Sequence, residues 1–370
     1  MDYMRRALRL ARRALGAASP NPAVGAVVVR DGQVVGEGFT LPPGRGHAEA
    51  VALERAGERA RGAILYTTLE PCAHHGRVPP CTRAIIRADI AEVHMAMIDP
   101  NPLVNGKGRA GLEAAGIRCV VGAHQEEARR LNEAYVKHIT TGLPFVTAKF
   151  AMSLDGKIAC RTGASRWITG GRARLYAQGL RRQHDAVMVG VNTVLADDPS
   201  LTVRDSQGRP RGRQPLRVVV DAHGRTPATA QVLRQPGRTV VATSEAGAGA
   251  RTALEEAGAE VLELPQREGL VDLRALLGLL GEREITSVLV EGGGTLLGSF
   301  FDLGLVDRVV AFVAPTIVGG KKAPSPVEGV GVASVEEALR LREPRIRRLG
   351  GDFLVTGYVS SGGPECSAES

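Results

Sequence analysis

The stretch Leu69-Glu70-Pro71-Cys72-Ala73-His74-His75-Gly76-Arg77-Val78-Pro79-Pro80-Cys81 decides how the first half of this chain is read. It follows a β-rich run, AILYTT (63–68), and precedes a helical one at about 82–88. Two cysteines enclose a polar, proline-containing loop that neither strand nor helix accommodates. Upstream, Gly46-His47-Ala48-Glu49 stands at the start of a helical stretch over 48–60. One imidazole and two thiolates form a donor set suited to Zn2+, and three protein ligands leave the fourth position open for water. The pattern predicts that His47 and Cys72 both sit where a loop or strand gives way to a helix, whose N-terminus favours a thiolate. Glu49, two residues beyond His47, is poorly placed as a fourth ligand but reaches the water. A carboxylate there takes a proton from water and hands it to a leaving amine.

Working outward, the chain alternates helix and strand patterns. An amphipathic helix near 3–15 carries Leu8, Ala11 and Leu15 on one face. VGAVVV (24–29) and QVVGEG (33–38) form a hairpin about Arg30-Asp31-Gly32. Strands at 63–68, 92–97 and 117–121 follow, with a loop at 99–108 and a long helix near 124–141. This predicts an α/β fold with a mainly parallel sheet after an opening hairpin. Gly142-Leu143-Pro144 punctuates the chain, so a first domain is expected over 1–144, a second over 145–360 and a polar tail over 361–370. The second domain restarts the alternation. Strand-like runs lie at 145–153, 185–190, 216–221, 238–243, 259–264, 285–290, 307–313 and 353–359, with helical patterns near 171–183, 246–257 and 270–281.

Composition narrows the function. Aromatic residues are 4% of the 370, too few for a surface of stacked bases. The net charge of +8 is spread over both halves without a basic arm, which argues against a nucleic-acid binder and suits small anionic substrates such as phosphate esters. Five cysteines, an odd and sparse set, do not read as a disulfide framework. Arginines interrupt every apolar run near the N-terminus and no stretch reaches 18 apolar residues. Neither a signal peptide nor a membrane span is therefore expected, and the cytoplasm is the expected compartment.

PNPAVGAVVV (20–29), GHAE (46–49), LEPCAHHGRVPPC (69–81) and DPNPLVNGKG (99–108) resemble the deaminase half of the bifunctional riboflavin-biosynthesis deaminase–reductase family. They share the H-x-E…P-C…C logic of the zinc nucleobase deaminases, with a longer loop between the cysteines. The resemblance implies a cytidine-deaminase-like fold, Zn2+ on His47, Cys72 and Cys81, and Glu49 as the proton shuttle. It also implies Asn21 on the pyrimidine, and His74 and Arg77 near the phosphoribosyl group.

In the second half, Glu291-Gly292-Gly293-Gly294-Thr295 follows a strand and opens a short helix. Such a turn lets backbone N–H groups approach a pyrophosphate, but it lacks the dinucleotide fingerprint. AKFAMSLDGKIA (148–159), SRWITG (165–170), VGVNTVLADDPSLTVR (189–204), RVVVDAHGR (217–225) and VEGGGTLLGSF (290–300) resemble the reductase half of the same family. The resemblance implies a dihydrofolate-reductase-like fold and NADPH as cofactor. It puts Lys149 and Asp197 at the reductive site, with either of them or water as proton donor. Ser165, Arg181, Leu201, Arg204 and Glu291 are implied on the phosphoribosyl substrate, the two arginines as bidentate phosphate clamps. Ala151, Trp167, Thr169, Thr193, Asp197, Ala222 and the turn Gly293, Gly294, Thr295, Leu296, Leu297, Gly298 and Ser299 are implied around NADPH. Family precedent further implies a homodimer or homotetramer. Two other readings compete: a nucleic-acid base deaminase with an unrelated or inactive C-terminal module, and a zinc-stabilised scaffold, which would have no use for Glu49.

Overall fold

The computed structural model describes residues 1–76 and 78–359. The chain divides into two units, Met1–Leu143 with Glu284–Thr286, and Pro144–Arg283 with the chain from Ser287 onward. The polar tail expected at 361–370 lies outside the described residues.

The first unit runs α1 (Tyr3–Ala11), β1 (Gly25–Arg30), β2 (Gln33–Phe39), α2 (Ala48–Ala56), β3 (Ile64–Thr67), α3 (Cys81–Arg87), β4 (Glu92–Met95), α4 (Lys107–Ala114), β5 (Arg118–Val121), α5 (Gln125–Leu131) and α6 (Glu133–Thr141). Helix α1 forms because Asp2 caps it, accepting the Arg5 N–H at 2.9 Å. Met4, Ala7, Leu8 and Ala11 then fall on one buried stripe. The sheet order is β2-β1-β3-β4-β5. Strand β1 is antiparallel to β2 and β3, and β3, β4 and β5 are parallel, as the opening hairpin and later alternation led us to expect. Close approach sets the layers. A Cβ on Gly25 would lie 2.0 Å from the Ala7 carbonyl of α1, and one on Gly38 would lie 2.2 Å from the Ala48 carbonyl of α2. Gly38 pairs with Ala26, the neighbour of Gly25. Successive residues point to opposite faces, so α1 and α2 cover opposite faces of the sheet and bury Val27 and Val28 between them.

The long helix expected over 124–141 is two helices. Asn132, with φ −107°, breaks it. Its side chain accepts the Ala23 N–H at 2.8 Å and donates to the Ala23 carbonyl at 3.1 Å. The helix yields locally to hold the loop that leads into β1.

The second unit runs β6 (Phe145–Ser153), α7 (Gly171–Gln183), β7 (Ala186–Gly190), α8 (Val191–Asp197), β8 (Leu216–Val220), α9 (Gln231–Arg234), β9 (Thr239–Thr243), α10 (Ala248–Glu256), β10 (Glu260–Glu263), β11 (Gln266–Arg267), β12 (Leu270–Val271), α11 (Leu273–Glu282), β13 (Ser287–Val290), α12 (Gly294–Asp302), β14 (Arg308–Ala314), β15 (Leu341–Leu349) and β16 (Asp352–Val359). Nine strands form one sheet in the order β10-β9-β8-β7-β13-β6-β14-β16-β15. Pairing is parallel from β10 to β14 and antiparallel at β14–β16 and β16–β15. Strands β9 and β13 are buried along their whole length, which is why they read as continuous apolar runs rather than alternating ones.

Two expectations here need correction. The helix anticipated from 270 starts at Leu273, because Asp272 accepts the N–H groups of Arg274 and Ala275 and caps it there. Strand β15 went unforeseen: its sequence, Leu341-Arg-Glu-Pro-Arg-Ile-Arg-Arg-Leu349, is charged and contains a proline. It is an edge strand whose register shifts between Arg342 and Arg345, and Pro344 falls inside that irregularity, where no ladder N–H is missed.

Arg217 on β8 is fully buried. Its guanidinium donates to the carbonyls of Val232, Gln235, Pro236 and Gly237 and to Thr239 Oγ1, at 2.7–3.0 Å. Five bonds to neutral acceptors replace its hydration, and desolvation lowers its pKa.

Candidate active sites

The first site forms where α2 and α3 begin. His47 is the N-cap of α2, and Cys81 is the first residue of α3. Cys72 lies in the loop between β3 and α3 and opens no helix. The expectation for Cys72 thus belongs to Cys81, because the eight-residue loop between the cysteines delays the helix start. The Cys81 N–H at that start donates to Cys72 Sγ at 3.3 Å. His47 Nδ1 stands 3.3 Å from Cys81 Sγ and 3.6 Å from Cys72 Sγ. All three ligand atoms lie within 4.8 Å of one another. A bond from Cys81 and the nearby imidazole hold the Cys72 thiol down, near 4, against burial. The hydrogen bond with Cys72, and then burial, push Cys81 up. Two thiols sharing one negative charge next to an imidazole are a donor set short of a cation, and zinc fits it.

Glu49, in the first turn of α2, is 4% exposed. Burial raises its carboxyl to about 7, against the pull of His47. A carboxyl poised near neutrality both accepts and returns a proton. The site opens into a cavity of about 240 Å³ lined by Asn21, His47, Glu49, Cys72, His74 and Asp99, among others. Asn21 and His74 thus share this cavity with the metal-type donor set. His74 Nδ1 is buried with no hydrogen-bond partner among the described residues. His75 is exposed and meets Arg83 at 3.2 Å, so it faces away from the chemistry. Arg77 lies outside the described residues.

The sequence reading missed four residues here. Glu70 is buried and accepts the N–H groups of Asp99, Gly106 and Arg109 at 2.9–3.2 Å, tying the 99–108 loop to the metal loop. Asp99 and Asn101 line the cavity. Tyr135 donates to both Asp99 oxygens, at 2.9 and 3.2 Å. Burial lifts Asp99 to about 6, with the Asn101 N–H and Tyr135 opposing it. The Asp-Pro-Asn-Pro motif was visible, but nothing in its spacing gave it partners 29 and 36 residues away.

The second site gathers around Glu291, just past β13. Arg181 from α7 grips it with two bonds, Nε to Oε1 at 2.6 Å and Nη2 to Oε2 at 2.8 Å. Lys149 of β6 stands 3.6 Å from the same carboxylate. Burial drives Glu291 up, but Arg181 and Lys149 outweigh it and hold the carboxyl near 2. The third Arg181 nitrogen donates to the Thr202 carbonyl at 3.1 Å. The Nε and Nη2 edge of Arg181 is therefore taken by Glu291. Arg204 keeps only one guanidinium bond, Nε to Thr202 Oγ1 at 2.9 Å, and its outer nitrogens bond to nothing among the described residues. Leu201 is buried with φ +50°. Ser165 donates to Asp197 Oδ1 at 2.7 Å, and Arg166 binds the Asp197 carbonyl. No bond or ion pair links Asp197 to Lys149 among the described residues.

Gly292 and Gly293 have φ of 123° and 84°, and Gly293 precedes α12. A Cβ on Gly293 would press to 3.1 Å from Thr193 Oγ1, so glycine is needed for α8 and the turn to meet and leave a backbone cradle. NADPH phosphates fit such a cradle at a helix start. Thr295 Oγ1 donates to Glu328 at 3.0 Å. Leu296 and Leu297 are buried in packing, Gly298 lies under the Glu328 carbonyl, and Ser299 bonds back to Thr295. Trp167 is 69% exposed, with Arg174 stacked 4.4 Å from its ring and bonded to the Thr169 carbonyl. Ala151 is on β6, and Ala222 follows β8.

A zinc-type deaminase centre in one unit and a charged, glycine-cradled site in the other define a bifunctional deaminase–reductase. Residues 1–97 match the cytidine and deoxycytidylate deaminase zinc-binding region, and residues 144–355 match the RibD C-terminal domain. The riboflavin biosynthesis protein RibD of Aquifex aeolicus is 46% identical over 96% of this chain and 97% of its own. That of Escherichia coli is 40% identical, over 95% and 97%. The structure of Acinetobacter baumannii RibD superposes with a TM-score of 0.88 at 39% identity, covering 97% of this chain and 98% of that one. A deaminase/reductase from Thermotoga maritima gives 0.84 at 35%, with the same coverage. The chain belongs to the RibD family of riboflavin biosynthesis. It is a deaminase and a reductase, with zinc and NADPH as cofactors. The match of the second unit to a RibD domain sets aside the nucleic-acid deaminase with an unrelated module. No helix among the described residues is long and apolar enough to cross a membrane.

Proposed function

We propose that residues 1–144 deaminate 2,5-diamino-6-(5-phosphoribosylamino)pyrimidin-4-one, and that residues 145–360 then reduce the ribosyl group to ribityl. The convergence of His47, Cys72 and Cys81 beside a buried Glu49 carries this reading. A zinc ion held by those three residues supplies the Lewis acidity that makes water a nucleophile at neutral pH. Glu49 takes the proton as oxygen adds to the amino-bearing ring carbon. It delivers that proton to the ring nitrogen, then takes the hydroxyl proton of the tetrahedral adduct and gives it to the amino group, which leaves as ammonia as the C–N bond breaks. Asn21 orients the pyrimidine and His74 serves the phosphoribosyl group, a role the family resemblance also gives to Arg77.

In the second step NADPH supplies a hydride to C1′ of the opened imine form. The amine nitrogen takes a proton, and Lys149 is the better-placed donor of the two candidates, since Asp197 is engaged by Ser165. Glu291 and Arg181 fix Lys149, while Arg204 and Ser165 meet the phosphoribosyl chain beside Leu201. Ala151, Trp167, Thr169, Thr193, Asp197, Ala222 and the 293–299 turn border the cofactor.

The test is a coupled assay on the diaminopyrimidine ribosyl phosphate, following ammonia and NADPH absorbance together. One NADPH consumed per ammonia released supports both steps in this order. Ammonia release without NADPH consumption would show a deaminase only. The family resemblance also supports a cytoplasmic homodimer or homotetramer; a monomer mass by light scattering at working concentration would overturn that assembly.

A further inference from the structure

Helix α6 forms a wall of the first cavity that neither the sequence motifs nor the proton path uses. Tyr135, His138 and Ile139 line that cavity, and their i, i+3, i+4 spacing puts them on one face of the helix. The start of α6 is fixed. Asn132 is buried and bonds both the N–H and the carbonyl of Ala23, two residues past Asn21. Less than one turn further on, Tyr135 reaches the 99–108 loop.

Asp99 is 5% exposed. Its Oδ1 accepts the Asn101 N–H and the Tyr135 hydroxyl, both at 2.9 Å. Its Oδ2 receives only the longer branch of the same hydroxyl, at 3.2 Å. A phenol has one proton to give, so Oδ2 keeps acceptor capacity. Asn101 Oδ1 accepts the Leu103 N–H at 3.0 Å, and the Asn101 side chain also bonds the Tyr135 hydroxyl. Tyr135 therefore holds two polar side chains that line the cavity. Glu70 ties the same loop through backbone N–H groups, which leaves the setting of the Asp99 carboxylate to Tyr135 and Asn101.

We propose that Tyr135 is a positioning residue of the deaminase: by holding Asp99 and Asn101 in one setting, it aims Asp99 Oδ2 at a hydrogen-bond donor of the nucleotide substrate. The inference rests on the deaminase reading above. A carboxylate free to turn must be ordered when substrate binds, and that cost falls on affinity. The bond it then makes is charge-assisted and sensitive to geometry. No proton transfer passes through Asp99, so affinity rather than turnover carries the effect.

Ammonia release by the zinc-loaded, full-length protein tests this, with the diaminopyrimidine ribosyl phosphate as substrate. Tyr135→Phe removes the hydroxyl and keeps the ring. It is expected to raise KM about tenfold, equivalent to ~1.4 kcal/mol, with kcat and zinc content little changed. Asp99→Asn should raise KM at least as much. The double variant should match Asp99→Asn alone, because Tyr135 acts through Asp99. A Tyr135→Phe protein with a lower melting temperature and an unchanged KM would make the hydroxyl merely structural and overturn the proposal. Rises in KM that add in the double variant would also overturn it, since Tyr135 would then act independently of Asp99. So would a fall in kcat at unchanged KM. If the wild-type protein releases no ammonia from this substrate, the deaminase reading fails and the proposal falls with it.

Discussion

Two buried glutamates, one in each unit, are shifted in opposite directions. Glu49 is held near 7 and Glu291 near 2. Both are desolvated almost completely, so burial alone does not separate them. The difference lies in who supplies the positive charge. Around Glu291 the chain provides two cations of its own, Arg181 and Lys149. Around Glu49 it provides an imidazole and two thiols, which need a cation themselves. The first arrangement makes a fixed negative charge. The second makes a proton carrier whose behaviour depends on a metal.

That contrast can be broken most severely by removing the metal. Chelation followed by desalting should abolish ammonia release and leave the NADPH-dependent step on the deaminated substrate intact. Loss of both activities would mean the two sites are not separable. Next, Glu49→Gln should lower the rate of ammonia release by roughly 10³-fold, with zinc content by atomic emission unchanged; an active variant would remove Glu49 from the proton path. Glu291→Gln should cost about 3 kcal/mol, because it leaves two buried cations without their counter-charge, read as a lower urea midpoint of the full chain at pH 7. The sign with pH follows. The folded pKa of Glu291 lies below its ordinary 4.5, so its contribution is fully present above about 4.5 and is lost as pH falls toward 2. The wild-type protein should therefore lose its advantage over the Gln variant across that window and not above it. The smallest effect is expected at Ser165→Ala, which frees one Asp197 oxygen: a severalfold fall in reductase kcat/KM, about 1 kcal/mol, with deamination unaffected.

Legibility followed the same divide. The metal set and Glu49 were readable because zinc constrains residue type, and all four fall within 35 residues of sequence. Cys72 was placed at a helix start that belongs to Cys81, since a longer loop moves a boundary without altering composition. The second site draws on residues from 149 to 291, and only the run of family motifs connected them. Spacing could not show that the Arg181 fork grips Glu291. Glu70, Asp99 and Tyr135 stayed hidden because their partners are distant in sequence. The strands of both sheets were legible as apolar runs, except β15, whose edge position permits the charges and proline that disguise it.

The five-bonded Arg217 has a bearing on how this chain can change over time. Four of its acceptors are main-chain carbonyls of the 232–237 segment, and every amino acid carries a carbonyl. Side chains at Arg234 and Gln235 are therefore free to drift among homologues, while the path of the backbone beneath them is held from inside by one residue. A tolerant surface over an intolerant anchor gives a lopsided mutational profile: silent changes along the loop, and collapse of the loop from a single replacement at 217.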